Sequence, residues 1–152
     1  MTEQSESTAG GERVVVGVDG SEHSKRALRE AARLAEALDL PLEAVTCWRD
    51  FSEYAVYEGR IPEQLTPEAF RATAERMLEH ALEDVFGEDR PTTLRTRLHH
   101  GRAAEALIEA SEGARMLVVG SRGHGGVMGR LLGSVSSAVV SHAHCPVLVV
   151  RS

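Results

Sequence analysis

The chain has little cysteine and no long apolar run. It contains 2 cysteines in 152 residues, too few for a disulfide framework, and no apolar stretch approaches the roughly 20 residues that span a bilayer. The first twelve residues are polar and acidic, without the basic start and apolar core of a signal peptide. These absences predict a protein of the reducing cytoplasm. We expect residues 1–12 to form a disordered tail, with a regulatory or partner-binding role as the alternative.

Lysine is scarcer still, because Lys25 is the only one among 17 basic residues. A phosphate-binding loop that depends on lysine must therefore use Lys25 or do without. Asp and Glu number 23, which gives a net charge of −6. This excess argues against broad binding of nucleic acid or anionic membranes, which depends on positive charge. With 42% hydrophobic and 26% charged residues, the composition is that of one globular domain with its own core.

Aliphatic runs alternate with helical patterns along the rest of the chain. Strands are predicted at 14–18, 42–48, 92–98, 115–119 and 146–150, and helices at 22–38, 67–86, 101–112 and 134–143, of which the first two are predicted to be capped by Ser21 and Thr66. This alternation predicts a single α/β domain, a parallel sheet with helices on both faces. Ligands of such sheets bind outside the carboxyl ends of the strands. That rule directs attention to Asp19, after the first strand, and to the segment that starts at Gly120.

The segment after the fourth strand has the features of an anion site. Five glycines fall within residues 120–129, and Gly133 precedes a helix that begins with serines. Glycine lets successive backbone amides turn towards an anion, and the free N–H groups of a helix start favour phosphate. Ser134 and Ser136 add hydroxyl donors, and Arg122 is a candidate source of charge. We therefore predict a phosphate-binding loop rather than a merely flexible surface loop.

The commoner phosphate motifs are excluded. A P-loop requires a lysine followed by serine or threonine, and no lysine follows Lys25. The dinucleotide fingerprint G-x-G-x-x-G fails because Met128 stands where the third glycine belongs, and because the segment follows a late strand rather than the first one.

The spacing Gly120-x2-Gly123-x9-Gly133-Ser134 resembles the nucleotide-binding signature of the universal stress protein family, G-2x-G-9x-G-S/T. The first strand with its turn, residues 14–24, and the end of the chain, residues 142–150, also resemble that family. The similarity covers about residues 13–151, so residues 13–152 are expected to form the domain. It implies a Rossmann-like, adenine nucleotide alpha hydrolase-like fold with five strands in the order 3-2-1-4-5. It further implies ATP binding and a homodimer formed through the last strand, Val147–Val150.

The resemblance also assigns roles to individual residues. Asp19 would accept hydrogen bonds from the ribose hydroxyls, a task that suits an acceptor-only carboxylate. Gly17 and Val18 would line the nucleoside pocket, and Val45 would pack near the adenine. The phosphates would be held from two sides by Gly120, Arg122, Gly123, Gly133, Ser134, Val135 and Ser136. Magnesium, if present, would bridge phosphates and water rather than occupy a protein cage.

Three functions remain open from the sequence. The first is a cytoplasmic ATP-binding regulatory module of the stress response, for which no catalytic residue is predicted. The second is a slow ATPase or phosphotransferase in which His124 or Asp19 takes part. The third is a dimerisation module without nucleotide. For Asp19 itself, a role as a plain turn residue is the alternative.

Other conspicuous side chains have simpler explanations. The histidines at 99 and 100 end a strand, whereas His142, His144 and Cys145 precede one, so they lie at opposite ends of a parallel sheet and no metal site is predicted. Cys47 is interpreted as a core thiol rather than a redox sensor. The irregular segment 49–66 carries three aromatic residues that either cover the nucleotide with Trp48 or pack on a helix. They are Phe51, Tyr54 and Tyr57.

Overall fold

A five-stranded sheet in the order β3-β2-β1-β4-β5 forms the centre of the protein. The computed structural model describes residues 11–49, 66–122 and 132–151. Its elements alternate along the chain: β1 (Val14–Gly17), α1 (Glu22–Leu38), β2 (Leu42–Trp48), α2 (Pro67–Phe86), β3 (Leu94–His100), α3 (Ala103–Ala110), β4 (Met116–Gly120), α4 (Ser134–His142) and β5 (Val147–Val150). All neighbouring strands pair in parallel. The predicted single α/β domain and its strand order are therefore confirmed.

The largest differences from the predicted boundaries are in β3 and α3, while the other elements agree to within one residue. Strand β3 extends to His100 rather than ending at 98, because its last residues continue the ladder with β2 and His100 pairs with Trp48. Helix α3 begins at Ala103 rather than at 101, because Gly101 has a φ of 145°, which is outside the helical region. The predicted tail lies outside the described residues except for Gly11 and Glu12, which are exposed.

The core consists of two apolar layers, one on each face of the sheet. Successive residues of a strand point to opposite faces, so Val14 and Val16 pack with α1 and α2 while Val15 packs with α3 and α4. These three valines are fully buried because β1 is the central strand. None of the helices within the described part of the chain is long and apolar enough to cross a membrane.

Local capping explains where the helices begin. The predicted caps are confirmed: the Ser21 hydroxyl accepts a hydrogen bond from the amide of Ser24, and Thr66 accepts one from Ala69. Such bonds satisfy donors that a helix start would otherwise leave without an acceptor. Helices α3 and α4 form no side-chain cap, and their N-cap residues are Arg102 and Gly133. Of these two N-cap residues, only Gly133 has no side chain at all.

Candidate functional site

The two ends of the glycine-rich segment meet at the carboxyl edge of the sheet. The carbonyl of Ser121 accepts hydrogen bonds from the Gly133 amide at 2.7 Å and from the Ser136 hydroxyl at 3.0 Å. The amide of Ser121 donates to the carbonyl of Val150 at 3.0 Å. One buried residue, Ser121, thus joins both ends of the segment to the end of β5. Gly123 and the histidine at 124 lie outside the described residues.

The first turn of α4 presents its N–H groups beside this junction. Ser134, Val135 and Ser136 form that turn, and Gly133 offers no side chain to cap it. Ser134 is exposed, whereas Ser136 is only 3% exposed because its hydroxyl is turned inward onto Ser121. The partial positive charge of a helix start and its unused N–H groups can hold an anion. Within this arrangement the Ser136 proton is already donated, a use that the sequence pattern does not reveal.

Replacing Ser136 with alanine is expected to lower the free energy of unfolding by about 1 kcal/mol, because the buried carbonyl of Ser121 loses one of its donors. Ser137→Ala is the matched control, because Ser137 follows in the same helix but is exposed, and it should change stability by less than about 0.5 kcal/mol. Urea denaturation of both variants measures the difference. Equal stabilities would show that the Ser136–Ser121 contact does not stabilise the junction between the two ends of the glycine-rich segment.

Close packing accounts for glycine at the ends of two strands. A Cβ on Gly120 would lie 2.8 Å from the carbonyl carbon and oxygen of His23, in the first turn of α1. A Cβ on Gly17 would lie 2.9 Å from the end of the Leu107 side chain. The backbone therefore approaches α1 so closely at Gly120 that there is no room for a side chain. The sequence pattern assigned both glycines to the ligand and gave no sign of this packing.

Asp19 follows β1 at the same edge of the sheet, and its side chain is exposed. Its Oδ1 accepts hydrogen bonds from the amide of Ser21 at 2.9 Å and from the Ser21 hydroxyl at 2.6 Å. Its own amide donates to the Ser24 hydroxyl at 3.3 Å. Asp19 is thus both a turn residue and an exposed, oriented carboxylate. From the sequence, Ser21 was recognised only as a helix cap.

The ends of β1 and β2 bring together the two valines assigned to the nucleoside. The amide of Val18 donates to the carbonyl of Val45 at 2.9 Å, and both side chains are buried. The hydroxyl of Thr46 donates to the carbonyl of Val18 at 2.8 Å. Thr46 was not among the predicted residues, although it fixes Val18 against β2.

Beyond Val45, β2 ends in a ring stack. Trp48 lies against His100 of β3 with ring centroids 4.3 Å apart and an interplanar angle of 22°. The other three aromatic residues of the irregular segment lie outside the described residues, so their predicted covering or packing role stays a prediction. Burial raises the pKa of the neighbouring Cys47 thiol to about 11, with a smaller opposing effect from Arg97. A thiol with so high a pKa is a poor nucleophile, which favours the core interpretation.

The remaining candidates lie elsewhere. Strand β3 ends with the two histidines and β5 begins after His142–Cys145, so these groups lie at opposite ends of the sheet, as expected. No three potential metal-ligating side chains of the described residues lie together. The Lys25 ammonium pairs with Asp84 at 2.7 Å and with Glu22 at 3.3 Å, contacts that raise the pKa of Lys25. The only lysine is therefore engaged with carboxylates.

Comparison with known proteins agrees with this architecture. A model of the universal stress protein family matches residues 11–151. A universal stress protein of Thermus aquaticus is 37% identical over 140 residues, which cover 91% of this chain and 97% of that protein. One of Mycolicibacterium smegmatis is 36% identical over 142 residues. The match covers 91% of this chain and 47% of that relative, so the chain spans about half of the relative's length.

Two of the similar solved structures contain an adenine nucleotide. One is a universal stress protein crystallised in complex with cAMP, 30% identical, with a TM-score of 0.56 over 91% of this chain and 95% of that one. The other is a universal stress protein from Archaeoglobus fulgidus in complex with dAMP, 19% identical, with a TM-score of 0.51 over 91% of this chain and 96% of that one.

Proposed function

Because this chain belongs to the universal stress protein family, we propose that it binds an adenine nucleotide, ATP, as a cytoplasmic regulatory module of the stress response. The observation that carries the proposal is the start of α4, which lacks a side-chain cap and is hydrogen-bonded to Ser121, the residue after β4, at the edge of the sheet where Asp19 lies. A relative's complex with cAMP supports the adenine nucleotide as the ligand class. Fold alone does not determine function, so the proposal rests on these groups.

The proposed ligand lies across the carboxyl ends of β1, β2 and β4. Asp19 accepts from the ribose hydroxyls, and the nucleoside lies by the strand ends at Gly17, Val18 and Val45. The phosphates reach the base of the glycine-rich segment and the first turn of α4. The residues assigned to them are Gly120, Arg122, Gly133, Ser134, Val135 and Ser136, with Gly123 retained from the sequence motif. Magnesium enters bound to the phosphates and water.

An acidic chain can hold a polyanion when its donors are local and oriented. Here the proposed donors are backbone amides and the exposed Ser134 hydroxyl at the start of α4, where the helix dipole adds positive potential. Lys25 is occupied by Asp84 and Glu22 and has no part in the proposal. The net charge of −6 therefore weakens long-range attraction of ATP without removing the short-range site.

A charge placed at Gly133 tests the phosphate end of the site. Gly133→Asp introduces a carboxylate at the N-cap, where the backbone is extended with φ −73° and ψ 173°. Aspartate caps helices well, so the nucleotide-free protein should remain folded. ATP should bind at least about tenfold more weakly, because the carboxylate occupies the N–H groups and repels phosphate. Isothermal titration with Mg-ATP measures the affinity, and thermal melting checks the fold.

Gly133→Asn is the matched control, because asparagine has nearly the same shape and caps equally well but carries no charge. It should weaken ATP binding less than aspartate does. In the wild-type protein, Mg-ATP at 100 times its Kd should stabilise the fold by about 2.7 kcal/mol. A melting temperature that excess Mg-ATP does not change would contradict the proposed function outright.

A homodimer through β5 is the second part of the proposal. Val147–Val150 form an edge strand whose side chains are only partly buried, and an unpaired apolar edge is an aggregation hazard. The Ser121–Val150 hydrogen bond connects this edge to the segment base, so we expect ATP to change the dimer dissociation constant. Sedimentation velocity with and without Mg-ATP measures both properties. Sedimentation as a monomer at all concentrations would contradict the dimer.

A further inference from the structure

We propose that Ser21 is a positioning residue that orients Asp19 to recognise the ribose 2′-hydroxyl, so that the site prefers ribonucleotides to 2′-deoxyribonucleotides. This inference rests on the proposed function. It adds to the proposed site a residue outside the glycine signature, Ser21, on the basis of its hydrogen bonds at the turn between β1 and α1. The sugar preference is the expected consequence for the ligand.

Four hydrogen bonds close a ring among Asp19, Ser21 and Ser24. Ser21 donates twice to the Asp19 carboxylate, through its amide at 2.9 Å and its hydroxyl at 2.6 Å. Ser24 closes the ring, because its hydroxyl donates to the carbonyl of Ser21 at 3.0 Å and accepts a hydrogen bond from the amide of Asp19 at 3.3 Å. Ser21 and Ser24 are 9% and 5% exposed, so water has little access to these two serines, whereas Asp19 is exposed.

The Ser21 hydroxyl does more than cap a helix. Capping requires only an acceptor, and the Ser21 oxygen provides one by accepting a hydrogen bond from the amide of Ser24 at 3.2 Å. Its proton is directed to Oδ1 of Asp19 at 2.6 Å, within the range of charge-assisted O–H···O⁻ bonds. The start of α1 and the position of the carboxylate are therefore determined by the same side chain.

Orientation matters because both Ser21 donors bind the same carboxylate oxygen. Two donors on Oδ1 restrain rotation of the carboxylate, and this restrains the direction of Oδ2. A group held in place in advance loses less entropy when it accepts a ligand hydroxyl. Sites built to hydrogen-bond a hydroxyl discriminate strongly against analogues that lack it. Loss of the Ser21 hydroxyl should therefore reduce the sugar preference more than it reduces binding of the base and phosphates.

The experiment compares the affinities for ATP and 2′-deoxy-ATP by isothermal titration. The wild-type protein should prefer ATP by about tenfold, the value of one ligand hydrogen bond of about 1.4 kcal/mol. Ser21→Ala should reduce this preference to about threefold or less, and Asp19→Asn should abolish it. Ser21→Thr keeps the hydroxyl and should restore the wild-type preference. Ser21→Gly, which costs the cap only a few tenths of a kcal/mol, replaces the alanine variant if that one does not fold.

Thr66→Ala is the matched control. It removes the corresponding hydroxyl cap from α2, where the Thr66 oxygen accepts a hydrogen bond from the amide of Ala69 at 3.3 Å. It should lower Tm as a lost cap does and leave the preference for ATP unchanged. This separates orientation of Asp19 from helix stability.

Each other outcome has a definite meaning. An unchanged preference in both Ser21→Ala and Ser21→Gly would overturn the role of Ser21 while leaving nucleotide binding intact. Equal wild-type affinities for the two nucleotides would overturn ribose recognition by Asp19, and the inference with it. Failure of the wild-type protein to bind either nucleotide would refute the proposed function and the inference together.

Discussion

Arg13→Met is expected to lower the free energy of unfolding by about 3–5 kcal/mol, the cost of breaking a buried ion pair by removing one partner. Arg13 is 1% exposed and Glu43 is 5% exposed, and the guanidinium Nε lies 2.8 Å from the Glu43 carboxylate. A second nitrogen donates to the carbonyl of Ala110 at 2.8 Å. Methionine fills much of the volume but leaves the buried Glu43 with Arg97, at 3.4 Å, as its one remaining ion-pair partner among the described residues.

Urea denaturation measures the loss, and two variants provide the controls. Arg33→Met removes an exposed pair with Glu30 and should cost less than about 1 kcal/mol, as surface ion pairs do. The double variant Arg13→Met with Glu43→Leu should recover much of the loss, since replacing both partners by apolar groups is often neutral. A loss below about 1 kcal/mol for Arg13→Met alone would show that the pair is not essential to the fold.

The same substitution should leave the affinity for ATP nearly unchanged in the folded protein. Arg13 precedes β1 and Glu43 is the second residue of β2, so their pair lies at the amino end of the sheet. The proposed site lies at the carboxyl end. A substitution at the amino end of the sheet should therefore change stability without changing ATP affinity.

The fold could be predicted because its signals are local. Four of the five strands are short and mainly aliphatic, and the helices follow their own periodicity, so the alternation that defines a parallel sheet is readable from the sequence. The order of the strands came from the family resemblance. The glycine-rich segment and the helix start at Ser134 are likewise contiguous in sequence, which is why the phosphate end of the site could be proposed before the structure was known.

What could not be predicted depends on pairs that are distant in sequence. Arg13 contacts Glu43 across 30 residues and Ala110 across 97, and no local pattern indicates a partner at those distances. The Ser136 hydroxyl bonds Ser121 across 15 residues, so a serine expected to face a ligand is turned inward. Specificity and stability in these places come from tertiary contacts, which only the folded chain brings together.

Gly120→Ala is expected to lower the free energy of unfolding by about 3 kcal/mol, the upper end of the range for overpacking. The added Cβ would lie 2.8 Å from the carbonyl carbon and oxygen of His23. Those atoms belong to the backbone of α1, so the clash is relieved only if the helix or β4 moves. Gly17→Ala is the matched control, because its Cβ meets the end of the Leu107 side chain at 2.9 Å. A leucine side chain can rotate, and we expect about 1 kcal/mol or less there.

The position of Gly120 makes the substitution a test of binding as well. Its neighbour Ser121 holds the base of the glycine-rich segment through the Gly133 amide and the Ser136 hydroxyl. Movement of β4 away from α1 displaces Ser121, and the N–H groups of α4 then no longer face the edge where Asp19 lies. The Mg-ATP-dependent rise in Tm should therefore shrink in Gly120→Ala. If Gly120→Ala is as stable as the wild-type protein and binds ATP equally well, contact between β4 and α1 does not determine the geometry of the site.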